Sequence, residues 1–372
     1  MGKRILITGG AGFIGSHLAD ELVRRGYRVR ALDNLTVQVH GDEARRPGYL
    51  NPEVELIVGD VRDGQAVRRS LSGVDAVFHF AAMVGVGQSM YEVEKYTSVN
   101  SLGTGVLLEA LIDRPVERLV VSSSMSIYGE GLYRDPEGRI CLGQERTLHQ
   151  LRAGDWEVRG ESGEVLTPIP TPETKVPSLA SVYALSKYDQ ERMCLIVGRA
   201  YGLSTTALRF FNVFGIRQAL SNPYTGVLAI FAARFLNGNC PLIYEDGHQQ
   251  RDFVSVYDVV RACCLALEHP QAPGQVFNVG SGQPQTVRNI AQCMAAVLGK
   301  EGLHPHIIGK YRAGDIRHCF ADISLIRRTL GYEPQVKLEE GLVELASWLE
   351  GQKAFDRLPE AAADLSLKGL TV

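Results

Sequence analysis

The stretch "LITGGAGFIGSHLADELVRRG" limits this chain more than any other, because it places Gly9, Gly12 and Gly15 directly after an apolar strand and at the start of a helix. Such a turn brings the backbone close to an anion, and the free N–H groups and dipole of the helix N-terminus favour a pyrophosphate there. A glycine pattern alone is weak. Here "YRVRALDN" follows as a second apolar strand and ends in Asp33, about 20 residues on, where an acid binds a ribose 2′-hydroxyl. The same carboxylate repels a 2′-phosphate, so NAD is expected rather than NADP. A third strand ending in "VGDVRD" offers Asp60 and Val61 to the adenine end, although Asp60 equally suits a strand-end cap.

The rest of the first third repeats this alternation. "VELIVGD", "DAVFHFAA" and "ERLVVSSS" read as buried strands separated by helical patterns, which means a parallel sheet covered on both faces. A helix is expected through "SVYALSKYDQERMCLIVGRAYG", followed by the strand "STTALRFFNVFG". The expected class is therefore α/β: a Rossmann-type doubly wound parallel sheet over residues 1–215, with a smaller interleaved C-terminal lobe over 216–350 and a tail over 351–372. Residues 131–178, rich in Gly, Pro and charge, form a long excursion from that pattern, with at most a little β-structure of their own.

Composition narrows the partner. A formal charge of −3 gives no electrostatic case for nucleic acid or an anionic membrane. No apolar run is long enough to cross a bilayer, and "MGKRILITGG" enters a strand without a signal-peptide core, so a cytoplasmic protein is expected. Seven cysteines, odd in number, scattered and without a C-x-x-C, suit free thiols better than a disulfide framework. A small molecule is the expected ligand.

Two further segments bear on chemistry. "VSSSMSIYG" ends a strand in three serines, which is ordinary turn material unless a hydroxyl has a reacting partner. "SVYALSK" places Tyr183 and Lys187 four apart, on one face of a helix. Tyrosine titrates near 10, too high for a base at neutral pH, but an adjacent ammonium and a positive nicotinamide ring each favour the phenolate. Any exposed helix can carry such a pair; beside the dinucleotide motif the catalytic reading is preferred.

The spacing G-x-x-G-x-x-G, "HFAA" (79–82), Asn100, the serine run and the Tyr183/Lys187 pair together resemble the extended short-chain dehydrogenase/reductase superfamily acting on nucleotide sugars. The resemblance covers nearly the whole chain outside 131–178. It implies a triad of Ser124, Tyr183 and Lys187, with Ser124 hydrogen-bonding the reacting oxygen, while Ser122 and Ser123 stay structural. It implies cofactor contacts from Gly9, Gly12, Phe13, Ile14, Gly15, Asp33, Asn34, Asp60, Val61, Phe80, Ala81, Ala82, Asn100, Tyr183 and Lys187. Dehydratases of the superfamily carry acids just after the serine position, since eliminating water needs an extra acid and base; here Met125 and Ser126 follow. Dehydration is thus not expected.

The second half resembles the nucleotide-sugar lobe of UDP-galactose 4-epimerase-like enzymes. The resemblance places Asn212 of "RFFNVFG", Arg251 of "QQRDFVSVYDVV" and Arg312 and Asp315 of "YRAGDIRHCFAD" at the diphosphate end, where guanidinium groups pair with phosphate bidentately. Val84, Ser124, Ser126 and Tyr183 fall at the sugar, Val84 standing where those epimerases tend to have Lys. Cys319 falls where they border the sugar pocket, with a buried core thiol as the equal alternative. "FNVGSG" (277–282) is expected to be a structural turn.

The excursion between Ser124 and Tyr183 is similar to one in bacterial dTDP-L-rhamnose 4-epimerases that carries cysteine pairs suggestive of a zinc ribbon. Here only Cys141 and His149 remain, so no metal is expected; a lid or an oligomer contact is. The combined expectation is an NAD-dependent nucleotide-sugar 4-epimerase working through a transient 4-ketosugar, on a dTDP-hexose such as dTDP-L-rhamnose. The alternatives are a 4-ketosugar reductase, a UDP-hexose 4-epimerase and, from another class, a non-catalytic dinucleotide sensor. The resemblance further implies a homodimer through the helices near 98–112 and 181–200.

Overall fold

Alternate residues of the apolar strands face opposite sides of one central sheet. In the computed structural model, which describes residues 2–41 and 45–371, Ile5 and Ile7 of β1 (Arg4–Thr8) enter one core cluster, while Leu6 enters the other, as the period of two in a strand requires. β5 (Arg118–Ser124) divides likewise, Val120 to one side and Leu119 and Val121 to the other.

The sheet has seven parallel strands. β1, β2 (Arg28–Asp33), β3 (Glu55–Val58), β4 (Ala76–His79) and β5 are joined by Thr205–Phe210 and Val276–Val279. The spatial order is Val276–Val279, Thr205–Phe210, β5, β4, β1, β2, β3, with Ile5 of β1 in register with Val29 on one side and Ala76 on the other. Winding reverses between β1 and β4, and such a reversal opens a crevice at the C-terminal ends of the strands. The strand Val276–Val279 comes from beyond residue 215, so the main sheet draws on both halves of the chain.

The helix α1 (Phe13–Arg24) buries Leu18 and Leu22 against one face. Gly12 caps it with no side-chain hydrogen bond, which leaves the first-turn donors pointed at the crevice. On the other face the Val182–Tyr201 helix begins at Ser181, whose side chain accepts from the Ala184 N–H, and ends at Gly202 in the left-handed region. It buries Ser186, Lys187, Gln190 and Glu191, four polar residues about one and a half to three turns from the cap.

The C-terminal lobe has its own core of Phe214, Phe231, Phe235, Phe253, Met294, Leu342 and Leu345, drawn from the helices Val227–Leu236, Val287–Val297 and Leu338–Leu349 and adjoining strands. Residues 351–371 are packed against it: Asp356 pairs with Arg234 at 2.8 Å, and the Ala313 N–H donates to the Leu370 carbonyl at 2.8 Å. Of "FNVGSG", expected as a turn, Phe277, Asn278 and Val279 belong to the strand Val276–Val279, and only Gly280, Ser281 and Gly282 lie outside it, the Ser281 and Gly282 N–H groups donating to the buried Asp252 carboxylate.

The excursion 131–178 carries short strands of its own. Three antiparallel strands, Leu132–Arg134, Ile140–Leu142 and Thr167–Ile169, enclose a small cluster of Tyr133, Val158 and Leu166, with Cys141 packed against it. Thr171 then bridges to Ala321 of the C-terminal lobe. All seven cysteines are free, with Cys194, Cys263, Cys264 and Cys319 buried. Among the described residues no helix is long and apolar enough to cross a membrane.

Candidate active site

A cavity of about 600 Å³ lies between the C-terminal ends of the strands and the smaller lobe, a size suited to a small-molecule ligand. Gly9, Gly12, Phe13, Ile14 and Gly15 after β1, Asp33 and Asn34 at the end of β2, Val61 after β3, and Phe80, Ala81, Ala82 and Val84 after β4 line one end. Ser124, Ser126, Tyr183 and Lys187 form the middle, and Asn212, Arg251, Arg312 and Asp315 line the far end.

The glycine turn is closed by backbone rather than side chains. Gly9 has φ +71°, and a Cβ there would sit 2.9 Å from the Ala81 nitrogen; one at Gly15 would sit 2.3 Å from the Gly9 carbonyl oxygen. Gly12 is different, since its nearest neighbour would be the Gly9 oxygen at 3.4 Å. Its missing side chain clears the cavity instead. The Asp33 carboxylate takes hydrogen bonds from the Ala11 N–H at 3.0 Å and the Leu35 N–H at 2.9 Å, with His40 3.6 Å away. It therefore ties the glycine loop to β2 while still lining the cavity. Tight turn, helix N-terminus and acid together fit a dinucleotide with a free ribose diol.

Two residues assigned to the cofactor by resemblance stand off the cavity wall. Asp60 pairs with Arg62 at 2.9 Å and accepts from Asn34 at 3.1 Å; the Arg62 hydrogen bond holds its carboxyl down at about 2. Asn100 is fully buried in a π-helical turn, Thr97–Leu102, and braces the wall from behind. Its Oδ1 accepts from the Met83 N–H at 2.7 Å, and its Nδ2 donates to the Met83 carbonyl and to Ser186 Oγ.

At the middle of the cavity Ser124 caps the short turn Met125–Tyr128, its Oγ accepting from the Ser126 N–H at 3.2 Å and Ser126 Oγ at 2.8 Å. Burial raises the Tyr183 hydroxyl above its ordinary value, and a hydrogen bond with Ser124 opposes that rise. In the protein alone, then, the group acting against burial on Tyr183 is Ser124 rather than Lys187. Lys187 is itself pushed down to about 7 by burial, its Nζ donating to Gln190 Oε1 at 2.8 Å and Ser122 Oγ at 3.3 Å.

Behind the triad runs a buried polar chain that the sequence did not disclose. His79 bonds Thr8 Oγ1 through Nδ1 and Thr104 Oγ1 through Nε2, each at 2.8 Å, and Gln190 Nε2 donates to Thr104 Oγ1 at 2.9 Å. Burial drives His79 down to about 3, so it stays neutral. The chain fixes Gln190 and through it Lys187. The one signal in the sequence is a histidine, that of "HFAA", ending an otherwise apolar strand.

At the far end Arg251 donates to the carbonyls of Gln250 and Arg317, each at 2.9 Å, and of Ile316 at 2.5 Å. Arg312 forks onto Asp315 at 2.8 and 3.0 Å and lies over the Tyr244 ring. Asn212 Oδ1 is buried without a hydrogen-bond partner, as are Gln218 Oε1 and Gln249 Oε1, which line the same cavity. Cys319 does not border the pocket: it is buried beside Arg251 in the sheet register, in the core cluster, with Sγ 3.9 Å from Thr171 Oγ1. Its thiol faces Thr171 of the excursion, inside the core. In the excursion, Cys141 packs on the Tyr133 cluster, and among the described residues no group of three or more His, Cys, Asp or Glu is arranged to hold a metal.

The family model for NAD dependent epimerases/dehydratases matches residues 5–149 and 157–280. The dTDP-L-rhamnose 4-epimerase of Burkholderia thailandensis is 36% identical over 94% of this chain and 95% of its own. Among solved structures, the UDP-glucose 4-epimerase of Thermotoga maritima with UDP-glucose is 33% identical, with a TM-score of 0.76 over 93% of this chain and 98% of its own. The UDP-glucose 4-epimerase of Thermus thermophilus in complex with NAD is 32% identical, with a TM-score of 0.74 over 94% and 100%. With the glycine cradle, the acid ending β2 and the Ser–Tyr–Lys constellation on one cavity, these likenesses show that the chain belongs to the NAD dependent epimerase/dehydratase family and is an NAD-dependent enzyme of nucleotide sugars.

Proposed function

We propose that this enzyme is a 4-epimerase of a dTDP-hexose such as dTDP-L-rhamnose, acting through a transient 4-ketosugar. The observation that carries the reading is the lining around the triad. Val84, Val86, Met125, Ser126 and Ala180 line the cavity together with Ser124, Tyr183 and Lys187, and the two residues that follow Ser124, Met125 and Ser126, offer no acid for the elimination of water. An apolar wall suits a sugar with a methyl group at C6. The 36% identity to a dTDP-L-rhamnose 4-epimerase supports the same substrate.

Gly9, Gly12, Gly15 and Asp33 would hold NAD, which would supply the site with a hydride acceptor and donor. Tyr183 takes the proton of the sugar hydroxyl and later returns it. Ser124 donates to the same oxygen and holds it in line with Tyr183. Lys187, locked by Gln190 and Ser122, keeps positive charge or a proton near the phenolate. Asn212, Arg251 and Arg312 are proposed to hold the diphosphate.

The exposed Leu102, Ile112, Leu185 and Ile196 lie on the two helical segments expected at a dimer interface, and they support a homodimer. Light scattering of the purified protein tests that, a monomer refuting it. For the activity, the enzyme is incubated with dTDP-L-rhamnose or UDP-galactose without added cofactor and the 4-epimer is sought by NMR. Turnover of the dTDP sugar supports the proposal. Reaction only with a 4-ketosugar and added NADH shows a reductase, turnover of UDP-galactose alone a UDP-hexose epimerase, and no reaction with any of these a dinucleotide sensor.

A further inference from the structure

Glu245 has a backbone that its residue type does not favour. It sits at φ +54° in the turn "YEDG", is 2% exposed, and lines the far end of the cavity. Glycine takes this left-handed conformation freely, whereas glutamate does not. Something must hold it.

Two arginines do. Arg146 Nη1 donates to Glu245 Oε1 at 2.9 Å and Arg317 Nη1 to Oε2 at 2.8 Å. Arg317, fully buried, also forks onto Asp246 at 2.6 and 2.8 Å and reaches Glu157 at 2.5 Å. Arg146 and Glu157 belong to the excursion 131–178, and both charges therefore enter the C-terminal lobe from outside it. Arg146 is nearly buried, packs over the Tyr311 ring at 5.3 Å, and donates to the Asp315 carbonyl at 3.4 Å. It thus touches both 244–246 and 311–315, the two segments that bring Tyr244, Arg312 and Asp315 to the cavity wall. Those segments also meet directly, through the Arg312 guanidinium over Tyr244 and the Glu245 N–H on the Lys310 carbonyl at 2.9 Å.

We infer that Arg146 of the excursion is a positioning residue for nucleotide-diphosphate binding: it clamps Glu245 and Tyr311 from behind and so sets the two segments that face the substrate. The inference rests on the proposal that this end of the cavity receives the nucleotide diphosphate. The excursion is then a buttress of the substrate lobe, with no atom of Arg146 on the ligand.

The test titrates dTDP and UDP into the holoenzyme by calorimetry, using whichever wild type binds more tightly as the probe. Arg146→Met weakens that probe about tenfold or more, as expected when one partner of a buried charge pair is removed, with bound NAD unchanged and, in turnover, a rise in KM that exceeds the fall in kcat. Arg146→Lys keeps a charge on Glu245 but loses the planar stack on Tyr311, weakens the probe about threefold, and keeps the test alive if the methionine variant fails to fold. Glu245→Gly supplies the left-handed backbone without a clamp. In that background either Arg146 substitution adds less than about twofold, because clamp and clamped group go together.

Wild-type affinity in Arg146→Lys, equal losses in both backgrounds, or a parallel loss of NAD would overturn the inference. A wild type that binds neither diphosphate removes the proposed nucleotide end and the inference with it. One that binds a diphosphate indifferently to Arg146 removes the inference alone.

Discussion

Gly15→Ala and Gly12→Ala should part company, although both glycines belong to one motif. A Cβ at Gly15 would lie 2.3 Å from the Gly9 oxygen and 2.8 Å from Gly10 Cα. Both neighbours are backbone, so no rotamer change relieves the overlap, and either α1 moves off β1 or the turn opens. Overpacking of this kind costs about 1–3 kcal/mol. For a chain of 372 residues, at about 2.1 cal/mol/K per residue of unfolding entropy, that is a fall in Tm of about 1–4 °C. At Gly12 the nearest atom would be 3.4 Å away, an ordinary contact, and the added methyl faces the cavity. Gly12→Ala should therefore keep its Tm within about 1 °C once both proteins are freed of nucleotide, yet purify with less NAD. The assays are differential scanning calorimetry on stripped protein and chromatography of nucleotide released by acid. Equal loss of Tm in both variants, or full NAD retention in Gly12→Ala, would refute the assignment of one glycine to packing and the other to ligand approach.

Tyr183→Phe should lower kcat for 4-epimerisation by about 10²–10⁴ with NAD content intact, measured by NMR of the product sugar; activity within tenfold of wild type counts against Tyr183 as the proton-transfer group. Lys187 gives a pH test. The folded chain holds it at about 7 against 10.5 unfolded, so between these values the unfolded state carries more protons and stability rises with pH. The Tm of wild type relative to Lys187→Met should accordingly climb from pH 7 to pH 9.5, and a constant difference contradicts the buried, depressed lysine. Asp252 accepts from the Ser281 N–H and Oγ–H, the Gly282 N–H and the Ala321 N–H. Asp252→Asn turns an amide N–H₂ toward those donors and should cost about 1–3 kcal/mol in urea unfolding, with bound NAD unchanged.

Short-range features were legible from residue order. Continuous apolar strands, α1 and its glycine turn, and the Tyr183/Lys187 face follow from chemistry within about one helical turn or one strand, and the structure places all of them. Asn100 and Cys319 show where that reach ends. Both sit at positions the resemblance gives to ligands, but whether a side chain faces a cavity or its supporting wall depends on which distant segment it meets. For Asn100 that is the Met83 segment, and for Cys319 the excursion at Thr171.

The excursion marks the same division more sharply. Its Gly, Pro and charged residues carry no periodicity, so residue order offered a long excursion with at most a little β-structure of its own. The structure finds three strands, a cluster on Tyr133, and charges that have partners more than 70 positions away, as Arg146 has in Glu245 and Glu157 in Arg317. The amino-acid sequence by itself determined a dinucleotide-binding parallel sheet and a Tyr–Lys pair on one helix face, because those follow from local spacing. Only the tertiary structure decided what stands behind them, the His79–Thr104–Gln190 chain under Lys187 and the arginine clamp on Glu245. Desolvated polar groups must find partners wherever the fold brings them, and that pairing is not written in neighbouring residues.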